Sequence, residues 1–144
     1  MVVLGLLGVV CTAGIFYGNA ERLKTKQLEG FADRMAAWIT LTQQLSLIYD
    51  ADTQLVFNKK DAGYTCQIIC PRPLPIFINK LISKDLPKMY FDQVLFNNRS
   101  VKCISFDGSL GGAGPIGELR VVIGKYTFDF TLKGFPSTIY KRQP

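Results

Sequence analysis

The side chains of this 144-residue chain best suited to chemistry are four cysteines and eleven carboxylates, and there is no histidine. Without an imidazole, the usual acid–base relays and activated-nucleophile arrangements are absent. The glutamates are Glu21, Glu29 and Glu118, and the aspartates are scattered, mostly at turns. Cys66 and Cys70 have no histidine base to make a thiolate. Three soluble-domain cysteines without a histidine or a CxxC pair also make a poor zinc set. The densest glycine segment, Gly108, Gly111, Gly112, Gly114 and Gly117, invites a phosphate-loop reading. It fails, because no Gly-Lys-Ser/Thr follows and the next element reads as a strand rather than a helix. A plain loop between strands is expected there. A cation held by Asp107 and loop carbonyls is the weaker alternative. The expectation is a non-enzymatic protein with no catalytic, cofactor or metal site.

The cysteines have a structural reading instead. Cys66 and Cys70, on one strand, would lie roughly 13 Å apart, too far to bridge each other. Either could pair with Cys103 on a neighbouring strand, and the third would then be a buried free thiol. A disulfide would indicate an oxidising compartment.

The elements that position these groups begin with an uncharged apolar run. Residues 1–20 carry no charge, and Glu21, Arg22, Lys24 and Lys26 follow at once. About 20 such residues suffice to cross a bilayer as a helix, so 1–20 are expected to be a transmembrane helix. A cleaved signal peptide fits less well without a basic n-region. A lipoprotein signal fits poorly because Cys11 follows Val9 and Val10. A buried core helix would normally be amphipathic. Residues 21–50 continue as an amphipathic stalk without proline. Apolar residues recur at Leu28, Phe31, Met35, Trp38, Ile39, Leu45 and Tyr49, with Leu41 and Ile48 widening the stripe. Charges lie mostly before Met35. The second half, Ala36 to Tyr49, is therefore expected to pack on the domain that follows, and the first half to stand free or touch partner helices.

Residues 51–144 read as a β-rich globular domain. Strands are expected at Thr53–Phe57, Tyr64–Cys70, Met89–Phe96 and Val101–Phe106, with a turn at Asn97-Asn98. Pro71, Pro73 and Pro75 break the chain, and Ile76 to Ile82 reads equally as a short helix or an irregular crossing. The clearest local signal is a hairpin. Leu119, Val121 and Ile123 alternate with polar or small residues, then Tyr126, Phe128, Phe130 and Leu132 alternate with Thr127, Asp129 and Thr131. Gly124-Lys125 between them predicts a type II′ turn. The fold class expected is α+β: a long N-terminal transmembrane and stalk helix packed on a small antiparallel β domain.

The net charge of +6 lies wholly in this domain, since 21–50 balance four positive against four negative groups. A solvated surface is the plain explanation. Nucleic acid is the less favoured partner, because no compact basic cluster appears.

This order of elements resembles the type IV pilin and pseudopilin family. Met1-Val2-Val3-Leu4-Gly5-Leu6-Leu7-Gly8-Val9-Val10 is similar to the family's apolar segment just after its Phe-Thr-Leu-x-Glu processing motif. Three later phrases are similar to the H-type minor pseudopilins of type II secretion systems: Thr53-Gln54-Leu55-Val56-Phe57, Tyr64-Thr65-Cys66-Gln67-Ile68, and Ile104-Ser105-Phe106-Asp107-Gly108-Ser109. Residues 71–96 match no phrase of the family. The basic leader and the processing motif are not in the sequence, which implies either a true start upstream or a member that is not processed. The resemblance implies a minor pseudopilin of a secretion or DNA-uptake pseudopilus. It would be anchored in the bacterial inner membrane, with the β domain in the periplasm if a leader exists. Its partners would be other pseudopilins and secretion-system components, and prepilin peptidase if a leader exists. Gly5, Gly8, Ala13 and Gly14 would let helices approach closely. The alternative is an unrelated single-pass membrane protein whose β domain binds a protein partner.

Overall fold

The computed structural model describes residues 2–85, 90–133 and 138–143, with side chains for 26–83 and 90–133. One helix, α1, runs over Val2–Tyr49. Then come β1 (Thr53–Lys60), β2 (Gly63–Ile69), α2 (Ile76–Asp85), β3 (Gln93–Phe96), β4 (Arg99–Ser100), β5 (Cys103–Phe106), β6 (Ile116–Ile123), β7 (Tyr126–Lys133) and β8 (Thr138–Gln143). The chain divides into two compact units, Met1–Asp33 and Arg34–Pro144.

The expected fold class is corrected here. Among the described residues no helix is long and apolar enough to cross a membrane. The part of α1 with described side chains carries Lys26, Glu29, Asp33 and Arg34 in little more than two turns, and such charges are costly inside a bilayer. The side chains of 1–20, where the span was expected, lie outside the described residues. The architecture is one N-terminal helix region and a mostly antiparallel β-sheet domain. Leu28 and Phe31, on the half of α1 expected to stand free or touch partner helices, are buried.

In the second unit, strand alternation builds two sheets. The first has the order β2-β1-β5 and the second β4-β3-β6-β7-β8, with every pairing antiparallel. Side chains opposite one another in a ladder share a face. In the first sheet Thr53, Leu55 and Phe57 of β1 therefore face the same way as Cys66 and Ile68 of β2 and Ile104 and Phe106 of β5, and all are buried. In the second, Val94, Val121 and Phe128 form one buried row, and Leu119 and Phe130 part of the next. Full burial of side chains this size stabilises by roughly 1.5–3 kcal/mol each.

Phe91 fastens one sheet to the other. Its backbone exchanges hydrogen bonds with Tyr64, N–H of Tyr64 to O of Phe91 at 2.7 Å and N–H of Phe91 to O of Tyr64 at 3.1 Å. Its buried ring stacks on Tyr64 and meets Phe57 edge-on, both with centroids 6.2 Å apart. Two tight turns follow the sequence closely. Asn97 and Asn98 both take positive φ, 48° and 63°, as a type I′ turn requires. Gly124 takes φ 56° while Lys125 does not, which fits the expected type II′ turn.

Candidate functional site

The last turns of α1 are joined to the β domain by a polar seam. The threonine at position 42 donates its hydroxyl to the Trp38 carbonyl at 2.7 Å, and its own carbonyl accepts from the Thr53 hydroxyl at 2.6 Å. Ser46 donates to the Phe106 carbonyl at 3.1 Å, and the Gln43 amide to the Gly112 carbonyl at 3.1 Å. All four polar side chains are buried. Among the described residues no buried side-chain nitrogen or oxygen lacks a partner. Each such bond adds only about 1 kcal/mol net, but leaving one partner buried and unpaired costs more. The seam therefore fixes register between helix and sheet. Met35, Trp38, Ile39 and Leu45 supply the apolar remainder. Leu41 and Ile48, expected to widen the buried stripe, do not lie in it. Ile48 is exposed, and Thr42 and Ser46 continue the stripe instead.

The helix ends where the glycine loop begins. Asp50 takes φ 47°, and the Ala51 N–H reaches the Ser46 carbonyl at 3.2 Å. That is the six-to-one bond of a Schellman cap, with aspartate where glycine is usual. Gly108 lies against this cap so closely that a Cβ there would be 2.2 Å from the Ala51 nitrogen. Its N–H donates to the Asp52 carboxylate at 3.1 Å. Asp107 is turned into its own loop, accepting from the Ser109 N–H at 2.9 Å, the Ser109 hydroxyl at 2.7 Å and the Leu110 N–H at 3.3 Å. The Ser109 hydroxyl, with further help from those amides, holds the Asp107 carboxyl below its usual range. A carboxylate engaged this way caps a turn. Among the described residues no group of three His, Cys, Asp or Glu side chains is placed to hold a metal ion.

The cysteines do not meet as expected. Cys66, Cys70 and Cys103 are free thiols. Strand β1 lies between the strands of Cys66 and Cys103. Cys66 pairs with Phe57 and Cys103 with Val56, so the two thiols project from opposite faces of the sheet. Cys70 lies past the end of β2, on the far side of β1 from Cys103. The strand order thus removes the proposed pairing of Cys103 with Cys66 or Cys70. Burial pushes the Cys66 thiol up to about 12, which keeps it protonated and unreactive at neutral pH. Gly5, Gly8, Ala13 and Gly14, the expected helix-packing positions, lie outside the residues with described side chains.

One cleft, of about 230 Å³, is lined by Asn97, Asn98, Gly117, Glu118 and Arg120. Its chemistry is already engaged. Arg120 forms a two-pronged pair with Asp129, Nε to Oδ1 at 2.7 Å and Nη2 to Oδ2 at 3.1 Å, and the Asn97 amide oxygen accepts from the Glu118 N–H at 2.9 Å. No nucleophile stands beside a base there. Part of what the second unit presents outward is apolar. Leu47 and Ile48 of α1 and Leu110 of the glycine loop are exposed, and Gly112 brings that loop against Leu47. Comparison with protein-family models, curated proteins and solved structures finds no match to this chain.

Proposed function

We propose that this chain is a minor pseudopilin, a structural subunit of a type II secretion or related DNA-uptake pseudopilus, acting by assembly rather than catalysis. The observation that carries the reading is the seam between α1 and the β domain. In the last turns of a helix of 48 residues, Thr42, Gln43 and Ser46 are hydrogen-bonded into the domain. Beside that junction Leu47, Ile48 and Leu110 remain exposed. A subunit that packs into a filament through its helix needs such a rigid junction, and it needs apolar surface left for neighbours. The three phrases at Thr53, Tyr64 and Ile104 support the same reading. They fall on β1, on β2, and on β5 with its loop. In this proposal the β domain lies outside the cytoplasm and contacts other pseudopilins or cargo.

The test is to translate the codons immediately upstream of Met1 in frame. A basic stretch ending in Gly-Phe-Thr-Leu-x-Glu is the expected result. An in-frame stop directly upstream, with no such motif, would overturn the assignment.

A further inference from the structure

We propose that the outward edge of α2 docks on an anionic bilayer surface. The helix is short and carries the apolar residues Ile76, Phe77, Ile78, Leu81 and Ile82, yet none of its described side chains is buried. Ile76, Phe77 and Leu81 are 74%, 72% and 48% exposed. Phe77 and Leu81 are one turn apart and share a stripe, and Ile76 shares the adjacent stripe with Lys80, itself exposed. Ile78 and Ile82, on the third stripe, are half-buried. Apolar and basic side chains are therefore side by side on the solvent edge, where a helix packed only to its own domain would carry polar groups.

The helix is also rigidly presented. Pro71, Pro73 and Pro75 stiffen the approach. The Pro75 carbonyl accepts the Ile78 and Asn79 N–H groups, both at 3.0 Å, and the Asn79 side chain closes on the Leu74 carbonyl at 3.1 Å. The charge around it is mainly positive. From Ala62 to the end of the helix the sequence carries Arg72, Lys80 and Lys84 against the one acid Asp85. That complements an anionic partner.

A bilayer fits this edge better than a protein. The edge is a single convex helix, and a convex apolar ridge needs a matching groove on a protein but none on a lipid interface. There, apolar side chains enter the headgroup boundary while lysine and arginine reach the anionic heads. The inference is independent of the pseudopilin reading, whose failure would leave it standing.

The test places its readout at residue 77, so that attachment through any other segment does not register. The full chain carrying Phe77→Trp is mixed with vesicles of brominated phosphatidylcholine, with and without phosphatidylglycerol. The unsubstituted chain, with Trp38 alone, supplies the background. Phe77 is mostly exposed, so the substitution leaves the core intact. Expected are a blue shift and quenching of the new tryptophan with phosphatidylglycerol present. Adding Arg72→Glu and Lys80→Glu should weaken that response about tenfold or more. An unquenched tryptophan with both vesicle types would overturn the proposal. Equal quenching without phosphatidylglycerol would overturn its anionic part. A blue shift that grows with protein concentration in the absence of lipid would assign the edge to a protein contact instead.

Discussion

Replacing Gly108 with alanine puts a methyl group where three backbone atoms already stand. The added Cβ would be 2.2 Å from the Ala51 nitrogen, 2.6 Å from the Asp50 carbonyl carbon and 2.7 Å from the Ala51 carbonyl carbon. Ordinary carbon contacts need roughly 3.5 Å or more, so loop and helix cap must separate by about 1 Å. None of these atoms belongs to a flexible side-chain end that could swing away. The separation would stretch the bond from the Gly108 N–H to the Asp52 carboxylate, worth about 1.5–3 kcal/mol. It would strain the neighbouring Ser46–Phe106 bond, worth about 1 kcal/mol. With lost packing at Ala51, a destabilisation of about 3–5 kcal/mol is expected, in the range reserved for severe lesions. Trp38 is the sole tryptophan and is buried in this junction. Its fluorescence therefore reports urea unfolding of the unit directly. With a slope of about 1.5–2 kcal/mol/M, the midpoint should fall by roughly 2 M. Gly111→Ala is the control. Nothing lies within 4 Å of its Cβ, but its φ is 67°, so it should cost only the left-handed strain of about 1–2 kcal/mol. An unchanged midpoint for Gly108→Ala, or equal effects from both variants, would refute the close approach of loop and helix end.

Four further outcomes are expected. At pH 8 the native chain should leave Cys66 unalkylated while the half-exposed Cys70 and Cys103 react, as peptide mass mapping would show; labelling of Cys66 at the rate of Cys70 contradicts its burial. Because the folded Cys66 value, about 12, stands above the 9.0 of a free thiol, its stabilising effect is complete below pH 9. It then drains away between pH 9 and 12, so Cys66→Ala should flatten the alkaline limb of a stability–pH curve. Arg120→Ala should cost more than Asp129→Ala, because the carboxylate is 8% exposed and the guanidinium 34%. Stranding the buried carboxylate costs about 3–5 kcal/mol, whereas the arginine can turn to water, and equal losses in urea melts would show that the pair is not asymmetric. Asp50→Gly should stabilise by about 1 kcal/mol, since the exposed aspartate holds a left-handed cap and places a negative charge at a helix C-terminus; a lower midpoint would mean that its carboxylate has a role of its own.

What was legible in the sequence followed from local rules. The hairpin of β6 and β7 showed itself because alternation and a glycine-led two-residue turn are both short-range signals. Asn97-Asn98 was legible for the same reason. What was not legible depended on partners distant in sequence. The buried stripe of α1 passes through Thr42 and Ser46, which a hydropathy count scores as polar. Ser46 is buried because the Phe106 carbonyl accepts its hydroxyl, and Thr42 because its hydroxyl turns back onto the Trp38 carbonyl while its own carbonyl accepts from Thr53. Ile48 scores as core and is exposed. Strand β8 carries Thr138, Lys141, Arg142 and Gln143 with little apolar pattern, and its pairing with β7 decides it. The Asp129 in β7 looked like the polar side of an alternating strand, yet it is buried beneath its pair with Arg120. Opposed charges one strand apart were the signal that could have found it.

The cysteines show how strand order, which no spacing rule reveals, governs a chemical conclusion. Had β5 bordered β2, Cys103 could have stood opposite Cys66, and an oxidising compartment would have followed from the pair. With β1 between them, the inner thiol is sealed in a face of Leu55, Phe57 and Ile104, and the outer one lies beside Val56. Compartment must then be inferred from surfaces. Those surfaces are of two kinds. Near the helix junction, Leu47, Ile48 and Leu110 are apolar, suited to a neighbour of complementary shape. On α2, Ile76, Phe77 and Leu81 are interleaved with basic groups, suited to an anionic plane. The two surfaces make separable demands: variants at Leu47 and Leu110 should alter assembly without touching lipid binding, and variants at Phe77 and Lys80 the reverse.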